Sequence, residues 1–184
     1  MTDTRTDTTT LPLAPGRWRL DPTHSEVSFT IRHLGISKVR GRFTQFEVDL
    51  QVGTSLEDTT LRAVVHLASI DTANADRDAH VRSAELLDVA RRPTITFAST
   101  RIEPADGGWR VDGDLTIGDV TRPSALRVEL GGIETYPIDG SRHAGFAATA
   151  QVSRKDLGVR FGPLDAALGD AVHLDIDVQL VEPS

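Results

Sequence analysis

From Arg17 onward, apolar side chains recur at every second position, and no other feature of the sequence constrains the fold as tightly. A period of two belongs to an extended strand, whose successive side chains point to opposite faces. Val27, Phe29 and Ile31 alternate with Ser28, Thr30 and Arg32, and Leu61, Ala63, Val65 and Leu67 form a second face. Ile95 and Phe97 repeat the pattern, as do Val111, Gly113, Leu115 and Ile117, then Ala144, Phe146, Ala148, Ala150 and Val152. The last run is the cleanest: Val172, Leu174, Ile176, Val178 and Leu180 against His173, Asp175, Asp177 and Gln179. About eight such segments, joined by Gly, Pro and Asp turns, predict antiparallel strands with one face hidden.

One segment changes phase. Val39, Gly41 and Phe43 are odd-numbered, then Phe46, Val48 and Leu50 are even-numbered. A slip of one residue moves every side chain to the other face, so a β-bulge is expected near Thr44–Gln45. Bulges bend long strands enough to close a sheet on itself, which favours a barrel over a sandwich. The predicted fold is all-β: an eight-stranded antiparallel barrel over residues 16–184, after a polar, Thr-rich tail over residues 1–15. Its inward positions include Gly41, Ala63, Gly113, Ala144, Ala148 and Ala150. A barrel of this size holds either its own side chains or one small ligand. Periodicity leaves both outcomes open.

The stretch "DRDAHVRSAELLD" loses the alternation and predicts a short helix over about residues 75–88. Asn74 is a good N-cap, and Asp76 and Asp78 complement the helix dipole in the first turn. Asp78 and Arg82 have the spacing of a surface ion pair. Pro93 forces Arg92 out of helical geometry. Asp76 and His80 share a face, and His24 or His33 would be the third ligand if a metal sat there. No HxxxH or HxH pair supports that option, so a helix start is the expectation and no metal is assigned. No catalytic residue is assigned either. G-x-S-x-G is absent, and adjacent His24 and Ser25 point to opposite faces of a strand, as turn residues bonding backbone groups. Asp165, Asp170, Asp175 and Asp177 are expected on a solvated loop and strand face.

Lys+Arg 20 against Asp+Glu 27 gives a net charge of −7, and no basic run exceeds Arg91–Arg92. Nucleic acid is therefore not an expected partner. With no cysteine, disulfides and thiolate metal sites are excluded. No stretch approaches the roughly 18 apolar residues of a transmembrane segment. The start "MTDTRTDTTTLPLAPG" lacks the basic and apolar regions of a signal peptide, so the expected location is cytoplasmic.

Several motifs together resemble the YceI-like family of polyisoprenoid-binding proteins. They are "WRLDPTHSEVSFTIRHLGISKVRGRFTQFEVDL", "SIDTANADRDAHVRSAELLDVARRPTITFAST", "VDGDLTIGDVTRPSALRVEL" and "VSRKDLGV", in that order from Trp18 onward. The resemblance implies an extended lipocalin-like barrel with a helix beside it. It also implies a long isoprenoid ligand of quinone or polyprenyl type, no cofactor, a binding role rather than an enzymatic one, and, as in some members, a homodimer. Leu86 and Leu87 stand where members often carry an aromatic pair, and Leu157 where an aromatic is common.

The expected ligand-binding wall is Val27, Phe29, Ile31, Phe43, Val65, Leu67, Phe97, Leu115, Ile117, Phe146 and Ala148. His33 and His80, with His24 and Arg77, are candidates for a head-group site at the barrel mouth, or for a network pinning the helix to the sheet. Two alternatives stand beside the carrier. One is an enzyme acting on a small hydrophobic molecule through a histidine base; the other is an interaction module with a filled barrel.

Overall fold

A strand of 18 residues, β1 (Gly16–His33), is the seam on which the sheet closes. The computed structural model describes residues 11–183. Along β1, β2 (Ser37–Phe43) pairs with Val27–His33 and β3 (Phe46–Val52) with Gly16–Arg19, so the two are halves of one stave. β4 (Thr60–His66) pairs with β3, and the short β5 (Ile70–Asp71) continues its line to pair with β2. β6 (Thr94–Ala105), β7 (Gly108–Ile117), β8 (Val120–Thr135), β9 (Arg142–Ser153) and β10 (Leu168–Val181) follow as antiparallel neighbours, and β10 returns to β1. Counting β2 with β3 and β5 with β4, the ring has eight antiparallel staves. Closure of β10 on β1 removes the free edge along most of the ring; at the mouth, Ser37–Gly41 of β2 pairs with β1 alone.

The phase change between Phe43 and Phe46 is a break in the stave at Thr44–Gln45, where the bulge was expected. Thr44 N donates to Ser69 O at 3.2 Å, and His66 N donates to Gln45 O at 3.0 Å. Ser69 Oγ accepts from Gln45 N at 3.0 Å, so a hydroxyl completes the interrupted ladder. β1 carries a second break that the alternation did not reveal, between Asp21 and Glu26. Pro22 has no N–H to give the ladder. Asp21 Oδ1 accepts from Thr23 N, and Ser25 Oγ takes the place of a carbonyl by accepting from Gln179 N at 2.9 Å. Trp18 and Leu20 therefore face inward on even numbers, and Val27, Phe29 and Ile31 on odd ones.

One end of the barrel is closed. Trp18, Trp109, Leu180 and Ala144 are almost fully buried there, with Val52 and Leu56 beside them. Leu13 is buried as well, and Ala14 O accepts from Trp18 Nε1 at 2.9 Å. Residues 11–15 of the expected tail thus lie against the barrel, while residues 1–10 fall outside the described residues.

The inward glycines do not simply leave space. A Cβ at Gly41 would lie 2.5 Å from Phe29 Cζ, and one at Gly113 would lie 2.5 Å from Phe97 Cζ. Each glycine seats an aromatic ring from the neighbouring strand, so aromatic bulk fits into a narrow ring of staves without strain.

The helix α1 (Ala75–Arg82) begins as expected: Asn74 Oδ1 accepts from Arg77 N at 2.9 Å. It ends at Arg82, six residues short of the expected 88. Ser83 turns extended, with φ −64 and ψ 166. Arg92 then holds the loop, donating from Nε to Leu87 O at 3.0 Å and from Nη2 to Leu86 O at 2.9 Å. The Asp78–Arg82 pair does not form. Asp78 is buried and accepts from both Thr72 N and Thr72 Oγ1, while Arg82 Nη2 reaches Ile70 O.

Candidate ligand-binding site

Between the closed end and α1 the barrel is hollow. An inner chamber of about 160 Å³ adjoins an outer one of about 850 Å³, and Phe43, Ile95, Leu115 and Leu174 border both. The outer volume lies within the ~300–1,000 Å³ of ordinary ligand sites. Val27, Phe43, Val65, Phe97, Leu115, Phe146 and Ala148 line the inner chamber, with Trp109 at its floor. Phe29, Ile31, His33, Phe43, Leu67, His80, Leu115 and Ile117 line the outer one. Every side chain expected on the wall therefore borders one chamber or the other. A hollow interior is not what a filled-barrel interaction module would have.

Leu86, Leu87 and Leu157 also border the outer chamber. The loop that Arg92 clamps turns the first two inward. Leucines at these positions occupy less of the chamber than aromatic rings would.

Polar groups gather where the outer chamber opens. His33, Ser37 and Lys38 come from the β1–β2 hairpin, and Thr72, Asp76, Arg77 and His80 from α1 and the turn before it. Arg77 donates from Nε to Thr72 Oγ1 and from Nη2 to Thr72 O, both at 2.7 Å. With Asp78 on the same threonine, this network pins α1 across the mouth. His33 and His80 stand outside it; His80 Nε2 lies 3.0 Å from Glu85 Oε2. Among the described residues, neither Lys38 Nζ nor the His33 ring has a hydrogen bond or ion pair.

His24 is not at the mouth. The break in β1 turns it onto the outer wall, where Nδ1 lies 2.8 Å from Asp21 Oδ2. Burial acts against ionisation of Asp21, but the bonds from His24 and Thr23 win, and its carboxyl titrates below the ordinary value. Among the described residues, no three His, Asp or Glu side chains converge on a metal position.

Arg154 is the residue of the mouth that alternation could not find. It is buried and donates five times: to Gly169 O, Val159 O, Asp165 Oδ1, Asp165 O and Leu168 O. Those bonds use its full set of N–H groups, and its guanidinium also lies 4.7 Å from the centre of the Phe161 ring. The bond from Arg154 holds the Asp165 carboxyl down at about 2. Asp170 is lowered too, by the backbone N–H of Lys155 and then the hydroxyl of Ser153. Asp170 is exposed and Asp165 half-buried, and their bonds also fasten the 153–170 segment over the mouth. Asp175 and Asp177 are the exposed strand face that was expected.

The sequence matches the YceI-like domain over residues 18–180. The chain belongs to the YceI-like family. The YceI-like match spans the whole ring, starting and ending on Trp18 and Leu180 at the closed end. A UPF0312 protein of Vibrio cholerae serotype O1 is 31% identical over 159 residues, covering 85% of this chain and 80% of the relative. Among solved structures, BcnA of Burkholderia cenocepacia superposes with a TM-score of 0.76 at 19% identity, covering 87% of this chain and 98% of that one. A polyisoprenoid binding domain from Saccharophagus degradans superposes with a TM-score of 0.62 at 15% identity, covering 90% and 98%. At those identities the two structures speak for the YceI-like fold alone.

Proposed function

We propose that this YceI-like protein binds and carries one long apolar chain of isoprenoid type, tail inward and head group at the mouth, without acting on it chemically. The observation that carries this reading is the polarity gradient of the interior: an inner chamber whose lining down to Trp109 is apolar except for Glu47 and Ser124, and a gathering of polar groups where the outer chamber opens. The S. degradans neighbour, described as a polyisoprenoid binding domain, supports the ligand class.

Energetics favour a long ligand over a short one. Burial contributes about 0.8 kcal/mol per methylene, against about 4–15 kcal/mol of freedom lost on association. A tail of a few carbons falls short of that cost, whereas a dozen or more carbons exceed most of it. A tail reaching the inner chamber gains more. Water finds no polar partners there, and a void of 160 Å³ at about 24 cal/mol per Å³ costs about 4 kcal/mol. At the mouth, Lys38 and His33 offer donors to acceptor oxygens on a head group such as a carbonyl or phosphate.

Trp109 reports on this directly, because it borders the inner chamber while Trp18 does not. Titration with a long-chain quinone should quench the emission of Trp109 in a Trp18→Phe variant. A quinone with a single isoprene unit should leave it unchanged. Equal quenching by both, or by neither, would overturn the reading.

A further inference from the structure

Exposed apolar side chains concentrate at one end of the barrel. Among the described residues the large ones are Leu34 (59% exposed), Ile36 (82%), Leu164 (49%) and Ile138 (80%). The first three stand on the rim of the mouth; Ile138 lies at the opposite end, in the β8–β9 loop. The segments that carry them are neighbours, because Leu34 N donates to Ala167 O at 2.7 Å and so ties the β1–β2 tip to the Gly162–Ala167 turn that carries Leu164. Single exposed aliphatics are ordinary on a protein surface, but a cluster on the rim of an apolar cavity marks a contact surface.

The tip is held at a cost. Leu34 has φ 52, the left-handed region where glycine and asparagine are at home and a leucine is strained. Asparagine would suit the turn's backbone better than leucine does.

The β1–β2 hairpin is basic in a chain that is acidic as a whole. In a protein of net charge −7, residues 27–46 carry Arg32, Lys38, Arg40 and Arg42 and no carboxylate. Arg42 is paired with Asp71 at 3.1 Å. Among the described residues Arg32, Lys38 and Arg40 have no ion pair, and all three are exposed beside the tip. Exposed aliphatics flanked by unpaired cations have the composition of a segment that lies in a bilayer interface with anionic head groups.

We infer that the mouth docks onto an anionic lipid bilayer, with Leu34, Ile36 and Leu164 entering the head-group region and Arg32, Lys38 and Arg40 facing its charge. Docked in this way, the outer chamber opens onto the membrane, so an apolar tail passes between bilayer and barrel without crossing water. The purpose of the docking rests on the carrier reading above; its geometry does not.

The test is flotation of the full chain with vesicles of phosphatidylcholine alone, or mixed with phosphatidylglycerol. The protein should float with the mixed vesicles, and less so as salt rises, since such attraction is screened beyond roughly 8 Å at physiological ionic strength. Leu34→Asn with Ile36→Asn should lower partitioning about tenfold or more. Its thermal stability should not fall, because asparagine tolerates the backbone at position 34. Arg32→Gln with Arg40→Gln should abolish the preference for phosphatidylglycerol and its salt dependence. Neither variant touches the chamber wall, so quinone binding in solution should be retained. A protein that stays in solution with both vesicles overturns the inference, as does an apolar variant that floats like the parent. A fall in particle mass on removing Leu34 and Ile36, without vesicle binding by the parent, makes the tip a self-association face and overturns it too. Vesicle binding with no quinone binding would instead sink the carrier reading alone.

Discussion

Gly41 and Phe29 share one space: a Cβ on the glycine would lie 2.5 Å from the ring's Cζ and 2.7 Å from its Cε1. The two residues are paired across β1 and β2, and the ring they accommodate forms part of the outer chamber wall. Gly41→Ala therefore pushes the Phe29 ring into the chamber. The expected result is a loss of about 1–3 kcal/mol of stability from overpacking, with weaker binding of long-chain ligands. Urea unfolding and a quinone titration check both effects. Unchanged stability together with unchanged affinity would mean that the ring is not seated on the glycine.

Leu157 borders the outer chamber and is buried. Leu157→Phe should keep the fold and reduce the room for a tail. Affinity for the longest ligands should fall about tenfold, equivalent to about 1.4 kcal/mol, while shorter ones are less affected. A chain-length series of polyprenols would read this out, and a uniform loss at every length would contradict it.

Arg154 should be irreplaceable in the segment that covers the mouth. Arg154→Ala leaves the carbonyls of Val159, Leu168 and Gly169 without their donor, and leaves Asp165 only Lys155 as a cation, 3.5 Å away. A buried acceptor left without its donor costs about 1–3 kcal/mol. Lysine supplies a point charge rather than a planar fork, so Arg154→Lys should recover little. Hydrogen exchange over residues 153–170 should rise first in both variants.

Acid should loosen the same segment. Asp165 titrates at about 2 in the folded protein against an ordinary 3.8, chiefly because Arg154 bonds it, and Asp170 is also lowered. A carboxyl whose folded value is depressed contributes stability that is present above the unfolded value and lost as pH falls through the folded one. The contribution is thus complete above about pH 4 and disappears toward pH 2. Asp165→Asn should flatten the stability profile across that window and leave its slope at neutral pH unchanged, as urea midpoints measured at successive pH values would show.

How far the sequence could be read depends on the range of the interactions involved. Strand period is local, so most of the staves, the phase change at Phe43–Phe46 and the inward-facing positions were legible, although the run over Val120–Thr135 was not singled out. The break at Asp21–Glu26 was not, because Ser25 replaces a ladder carbonyl only once Gln179 lies beside it. The same break put His24 on the outer wall instead of at the mouth. The size of the interior was also out of reach: Gly41 and Gly113 read as empty space until Phe29 and Phe97 fill it. Arg154 binds carbonyls and a carboxylate 5 to 15 residues away through a turn with no periodic signature. Asp78 had helical spacing to Arg82 but found Thr72, six residues back, in the turn that brings the chain into α1.

The most direct test of the carrier reading is mass spectrometry of the purified protein, first intact under native conditions and then after organic extraction. The account predicts one bound apolar molecule per chain, with a mass series spaced by isoprene units and a tail long enough to reach Trp109. A protein that is empty as purified, and that fails to take up added long-chain quinones or polyprenols, would contradict it.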